Sequence, residues 1–415
     1  MTLLYTGKNL LMSNEHISIV LLSLTLLLFT AIIAGRFAQR FGIPKVIGEV
    51  LGGIIVGQTV FGLFFPELYQ SLFTPKSDLS EARDFFIKIG AIFFLFIIGL
   101  EINLPKAKTL RKTILWTSLS GLAFPFILGF ASVFFFPHLW HYSSENLALP
   151  LFIGTALSIS ALPVIARILI DFKLLKSKIG SIIIASATID DIVGWIFFAL
   201  IVNHFSPTET HSNPVITIIS VLLVFLFALT LGKKLVNKLL LWSTDRKDGD
   251  TLFLGLTIIL VFLTAILAEK IGIHHVLGAY LIGLAFAKSK LHKMHNALRQ
   301  MVLSFFAPLY FVSVGLTINF FQHFDPLLTL LIIGIATIGK VGGVFFGTHM
   351  AKLTVKESLV ISFGLNARGA VEIILATAAY QVQIIDEKIF VGIIIMAIVT
   401  TVISGPVIRS ALARL

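Results

Sequence analysis

Apolar residues run through this chain in stretches of about 20, divided by short polar or glycine- and proline-bearing turns, and that is the length an α-helix needs to cross a bilayer. The pattern predicts thirteen spans, at residues 17–38, 44–62, 84–102, 111–136, 149–169, 179–203, 214–241, 251–269, 273–288, 299–318, 326–350, 356–381 and 387–411. No stretch between them is long enough for a separate soluble domain. One all-α membrane domain over residues 1–415 is therefore expected, with its function inside the spans. The first apolar run lacks a basic leader and a small-residue cleavage pattern, so it is expected to stay in place as a helix.

Composition agrees: 57% of residues are hydrophobic and 13% charged, which excludes an ordinary water-soluble fold. Cysteine is absent, so disulfides and thiolate metal sites are excluded. The net charge of +11 would suit nucleic acid if it were gathered on one surface, but it is not. Of the 32 Lys and Arg residues, 24 fall in the segments that follow the odd-numbered spans, and six fall on the opposite side. That alternation predicts an N-terminus outside and a C-terminus in the cytoplasm, with membrane lipids rather than nucleic acid as the surrounding partner.

Two internal matches suggest a repeat. GIPKVIGEVLGG at 42–53 aligns with GIHHVLGAYLIG at 272–283 at six of twelve positions, and GLEIN at 99–103 aligns with GLTIN at 315–319. Each pair is seven spans apart, so the copies are expected to cross in opposite directions, the inverted-repeat plan of secondary transporters. Spans 1–6 then correspond to spans 8–13, and span 5 to span 12. Span 5 contains LSISALPVIARIL (157–169), where Ser158, Ser160 and Pro163 interrupt an apolar run; span 12 contains SFGLNARGAVEI (362–373), with Asn366, Arg368 and Glu372. Both are predicted to break there: in span 5 proline removes a backbone donor and the hydroxyls offer alternative bonds, and in span 12 two glycines stand among the three polar side chains.

Charges at membrane depth are the candidate chemistry, because each costs about 2.5–3.5 kcal/mol on insertion scales. Asp190 and Asp191 stand side by side near the centre of span 6, and on a helix adjacent side chains diverge by about 100°. Lys340 lies deep in span 11 and needs an anion; either aspartate is the first candidate and Glu372 the second. Arg368 and Glu372, four residues apart, are placed to pair with each other. Glu49 has no glutamate counterpart in the second copy, where Ala279 stands, so symmetry does not require it. His274, His275, His292 and His295 read as solvated residues.

In order along the chain, GEVLGGIIVG (48–57), LSISALPVIARIL, ATIDDIVGW (187–195), HHVLGAYLIGLAFA (274–287), Lys340 with its following glycines, and NARGAVEI (366–373) resemble the monovalent cation:proton antiporter family. That family includes bacterial sodium/proton exchangers, Kef-type potassium systems and plant cation/H+ exchangers. The resemblance implies two inverted six-helix repeats whose broken helices cross, in a homodimer of the bacterial inner membrane. It also implies a core ion-transport bundle at about 111–203 and 326–411, moving against a dimerisation bundle made of the remaining spans. Asp191 would bind the cation and protons in turn, and Asp190 would pair with Lys340 when the cation is absent. Ser158, Ser160 and Asn366 would lie nearby, and Arg368 or Glu372 would balance the half-helix dipoles. The transported Na+ or K+ is then the only metal expected, held by Asp190 and Asp191, with no cofactor. The chain ends just past span 13, so a C-terminal nucleotide-binding domain is not expected.

The function this implies is electrogenic exchange of a monovalent cation for protons by alternating access, with no enzymatic reaction. Two rivals on the same spans are a sodium-coupled symporter of an organic anion and a cation channel. An intramembrane aspartyl protease is disfavoured, since its two carboxylates must converge on one water and neighbours on one helix diverge.

Overall fold

Where no water can reach the backbone, its N–H and C=O groups must bond within the chain, and the apolar stretches of this sequence are helical accordingly. The computed structural model describes residues 14–41, 43–73, 78–101, 110–142, 146–172, 174, 177–205, 249–270, 275–287, 292–316 and 319–412, with isolated positions between 223 and 242. In chain order the helices are α1 (Asn14–Arg40), α2 (Lys45–Val56), α3 (Phe61–Phe64), α4 (Pro66–Phe73), α5 (Asp78–Glu101), α6 (Arg111–Phe135), α7 (Ala148–Ser158), α8 (Leu162–Asp171), α9 (Lys178–Phe205), α10 (Gly249–Lys270), α11 (His275–Phe286), α12 (His292–Met301), α13 (Ala307–Leu316), α14 (Phe320–His323), α15 (Pro326–Met350), α16 (Val355–Leu365), α17 (Ala370–Gln381) and α18 (Glu387–Leu412).

Among the described residues, eight helical stretches are long and apolar enough to cross a membrane. Counting α16 and α17, bent by 44° at their break, as one span gives nine. The segment predicted as span 7 lies outside the described residues apart from the isolated positions. Each other predicted span overlaps a described helix or helix pair, although α7 and α11 are shorter than a full crossing. The short helix α3 overlaps the predicted end of span 2 at residue 62, and α4 lies between predicted spans 2 and 3, where no helix was expected.

The chain divides into two compact units, Met1–Ala91 with Met301–Asn319, and Ile92–Gln300 with Phe320–Leu415. In the first, α1, α2 and α13 enclose a core of Leu27, Ala31, Val56, Leu309, Val312 and Leu316, closed by Phe73. Tyr69 donates to the Leu316 carbonyl at 3.2 Å, and buried Glu49 pairs with Lys45 at 3.1 Å. In the second unit, α6 and α15 pack closely along Gly339, Gly343 and Gly347. A Cβ on these glycines would meet Pro125, then Ser120 and Phe124, then Trp116 and Ser120, so the two backbones approach with no side chain between them.

The internal repeat is visible as packing within each unit. A Cβ on Gly48 would strike the Ala34 carbonyl and Ala38 Cβ of α1; on Gly278 it would strike the Thr264 carbonyl and Ala268 Cβ of α10, at the same separations along the chain. Likewise Gly53 lies against the Val312 carbonyl and Gly315 of α13, and Gly283 against the Phe96 carbonyl and Gly99 of α5. Gly99 and Gly315 are the glycines that head the second sequence match. Alanine at Gly53 or Gly283 is expected to cost about 1–3 kcal/mol through overpacking against backbone, seen as earlier thermal unfolding in detergent. Gly255→Ala, whose Cβ would have nothing within 4 Å, serves as the unaffected control, and equal melting of all three would remove the packing explanation.

Helix α15 starts at Pro326 behind an N-cap, Asp325, whose side chain accepts from Leu328 N–H at 3.0 Å and from His141 Nε2 at 3.0 Å. These bonds, the Leu328 N–H first and His141 second, hold the Asp325 carboxyl below the usual carboxylate range. A carboxyl depressed in the folded state stabilises it above the ordinary value, and that contribution is lost as pH falls through the depressed one. Asp325→Ala is expected to lose about 1 kcal/mol near neutral pH and little in acid. A melting-point difference from wild type that stays constant down to acid pH would contradict this.

Candidate functional site

Two helix breaks meet in the second unit. The first separates α7 from α8: Ile159 turns to an extended conformation (φ −74°, ψ 151°), and Pro163 falls in the first turn of α8, where its missing N–H costs nothing. The second separates α16 from α17 across Asn366 to Gly369, so the matched pair predicted from spans 5 and 12 is broken at both places. The breaks touch, the Ala161 N–H donating to the Ala367 carbonyl at 3.1 Å. Thr401 of α18 braces the second break: it accepts from the Arg368 N–H at 3.1 Å and donates to the Arg368 carbonyl.

A helix that stops inside the protein leaves its last carbonyls unpaired and its end partially negative. At the end of α7 two buried cations meet that need. Arg368 donates from Nη1 to Ala156 O at 3.0 Å and Ile159 O at 3.3 Å, and from Nη2 to Leu157 O at 2.5 Å. Lys340 Nζ donates to Ser158 O at 2.5 Å. Arg368 also holds Glu372 Oε1 at 2.9 Å. The pairing expected from their spacing is made although the helix does not continue through Arg368; Glu372 sits in the first turn of α17 and Arg368 just before it.

The paired aspartates of α9 have unlike surroundings. Asp190 is fully engaged: Ser118 of α6 donates to Oδ1 at 2.8 Å, Ser160 donates to Oδ2 at 3.2 Å, and Lys340 Nζ donates to Oδ2 at 2.7 Å. Lys340 therefore meets Asp190, and Glu372 is taken by Arg368. Asp191, rotated about 100° around the helix, is 0% exposed, and both its oxygens lack a hydrogen-bond partner among the described residues. One turn beyond it, Trp195 lies 6.3 Å from the ring of Tyr280 of α11, and the Tyr280 hydroxyl is likewise unpartnered among the described residues.

Ser158 enters by its carbonyl alone, for its hydroxyl is turned back onto Thr155 O at 2.8 Å. Asn366 is buried at the break with neither side-chain atom partnered among the described residues. Ser118 and Thr401 were not singled out from the sequence. The run of Thr117, Ser118 and Ser120 in span 4 was the available signal for the first, and the adjacent Thr400 and Thr401 in span 13 for the second.

Counting charges states what the arrangement can do. With all five groups ionised, Lys340 offsets Asp190 and Arg368 offsets Glu372, which leaves one negative charge, on Asp191, with no ion-pair partner of its own among the described residues. A buried charge must be neutralised. Asp191 is thus suited to take up one proton or one small cation, and the two exclude each other.

The family described as sodium/hydrogen exchanger, transmembrane, matches residues 25–414. The Na+/H+ antiporter NhaS4 of Synechocystis sp. is 30% identical over 96% of this chain and 98% of its own length. Cation/H+ antiporter 17 of Arabidopsis thaliana is 30% identical over 97% of this chain, which spans 49% of the plant protein. Among solved structures, the sodium proton antiporter MjNhaP1 from Methanocaldococcus jannaschii superposes with a TM-score of 0.62 at 18% identity, over 96% of this chain and 97% of that one, and so shares its fold.

Proposed function

The chain belongs to the sodium/hydrogen exchanger family, and from that premise we infer that it is a secondary active antiporter exchanging a monovalent cation, Na+ or K+, for protons by alternating access. The observation that carries this reading is Asp191, a buried carboxylate without a partner among the described residues, beside an aspartate saturated by a lysine. Asp191 binds the cation and the proton in turn. Competition for one carboxylate enforces exchange, because neither face is reached with the site both empty and charged.

Asp190 and Lys340 form a switchable pair in this mechanism. While the cation is absent Lys340 neutralises Asp190; when it arrives, Asp190 joins Asp191, and the Ser158 carbonyl, the Ser160 hydroxyl and Asn366 supply neutral oxygens. Arg368 and Glu372 stay fixed and balance the half-helix ends. When the cation draws Asp190 away, Lys340 is left buried without its anion and gives up its proton, so one proton from Asp191 and one from Lys340 leave per cation and exchange is electrogenic. Lys340→Gln is expected to change the pH profile and the voltage dependence of exchange; unchanged activity, affinity and pH profile would make Lys340 a passive structural cation.

The core bundle, about 111–203 and 326–411, moves against the remaining spans in a homodimer, with the N-terminus outside and the C-terminus in the cytoplasm of a bacterial inner membrane. The relatives reported above are antiporters by name, and no observation favours a channel or an organic-anion symporter. The test is proton flux in proteoliposomes against Na+, K+, Li+ and Rb+, at several pH values and with imposed voltage. Cation-driven, voltage-sensitive proton movement is expected; proton flux indifferent to every cation would overturn the reading.

A further inference from the structure

Helix α16 carries three polar residues at successive turns, Ser358, Ser362 and Asn366, and all are buried, at 0%, 0% and 1% exposure. None of their side chains has a hydrogen-bond partner among the described residues. Spacing of four residues places them on one stripe, about 6 Å apart along the axis. A serine or threonine inside an apolar helix ordinarily turns its hydroxyl back onto the carbonyl one turn earlier. Thr155, Thr188, Thr348, Thr377, Thr400 and Ser404 all do so here, at 2.8–2.9 Å. Ser358 and Ser362 do not. Thr117, Thr257 and Thr329 also lack partners, but each stands alone on its own helix.

A buried polar group left unpaired costs about 1–3 kcal/mol, and two hydroxyls and an amide at successive turns of one helix and its cap are not explained by packing. The stripe has two defined ends. Asn366 closes α16 at the helix break, where Ala367 bonds to Ala161 next to Ser160 and its Asp190 contact. The other end is the start of α16, fixed by the capping box of Thr354 and Glu357 and by an ion pair between Glu357 and Lys178, at the start of the aspartate-bearing α9, at 3.3 Å. Steps of about 6 Å are the distance one water spans between two hydroxyls.

We propose that Ser358 and Ser362, ending on Asn366, form the polar path by which the cation and protons pass between the paired aspartates and the membrane face where α16 begins. In the state described here the path is closed, and opening admits water along the stripe. This rests on the antiport reading above.

The absence of cysteine makes the test direct. In membrane vesicles of both orientations, Ser358→Cys and Ser362→Cys are to be treated with a small cationic thiol reagent, beside Val360→Cys, a fully buried position on the same helix but off the stripe. Both stripe cysteines are expected to react from the α16-start face only, and saturating Na+ or K+ is expected to slow them, while Val360→Cys stays inert. Stripe cysteines as inert as Val360→Cys, or reactive from the other face alone, would overturn the proposal. Should the cysteine variants not fold, Ser362→Val is expected to slow exchange about tenfold or more with an unchanged melting point, and Ser362→Ala less. Wild-type exchange rate in Ser362→Val would equally overturn it. Wild-type vesicles that exchange no cation for protons would instead sink the antiport reading, with the labelling pattern still scored on its own.

Discussion

Asp191→Asn is expected to abolish cation-driven proton flux, a loss of at least about 100-fold, or about 2.7 kcal/mol of the barrier, while leaving the protein folded. Both halves follow from the unlike surroundings of the two aspartates. Asp190 accepts from Ser118, Ser160 and Lys340, so its charge is already answered from within the protein. Asp191 takes no such bonds among the described residues. Replacing its carboxylate with an amide of the same shape removes the one uncompensated charge and breaks no contact that holds the fold. The melting point should therefore hold or rise as transport falls. Full flux in Asp191→Asn would show that the exchange site lies elsewhere; lost flux together with lost folding would show a structural role for Asp191.

Arg368→Met should cost more stability than any other single change at the site, about 3–5 kcal/mol. Its guanidinium serves four acceptors at once, the carbonyls of Ala156, Leu157 and Ile159 and the carboxylate of Glu372. Removing it strands a buried acid and uncovers the negative end of α7, and methionine fills the space without donating a bond. Glu372→Gln keeps an acceptor for Arg368 and should be much milder. In the double variant Arg368→Met with Glu372→Leu neither member of this pair is left charged without the other, so part of the loss should return, as a coupling between neighbours. Thermal unfolding in detergent of wild type, Arg368→Met, Glu372→Leu and the double variant measures it, with Glu372→Gln beside them. A melting point for Arg368→Met equal to that of wild type would contradict the capping role.

Much of this was legible in the sequence because bilayer physics leaves few choices. Apolar length marks the helices, and a charge at depth marks a site. The break in α7 and α8 was written in Ser158, Ser160 and Pro163, and the meeting of Lys340 with an aspartate followed from the cost of leaving either alone. What could not be read were partners supplied by backbone. The carbonyls of Ala156, Leu157, Ser158 and Ile159 carry no side-chain signature, yet they bind both buried cations. Ser158 therefore reads as a hydroxyl ligand in the sequence but contributes its carbonyl. The choice between Asp190 and Asp191 for Lys340 depends on which face of α9 meets α15, and adjacency in sequence is silent on it. The repeat was aligned correctly at Gly48, Gly53, Gly278 and Gly283, but alignment did not say that Gly53 would lie against Gly315 and Gly283 against Gly99. That crosswise packing belongs to tertiary structure.

The most direct test of competition at Asp191 is calorimetric. Na+ or K+ is titrated into the detergent-purified protein in two buffers of different ionisation enthalpy, which separates the heat of binding from the heat of proton release. The expected result is cation binding that expels protons into the buffer, weakens as pH falls, and disappears together with the proton release in Asp191→Asn. Cation binding without proton release, or binding undiminished in Asp191→Asn, would contradict it.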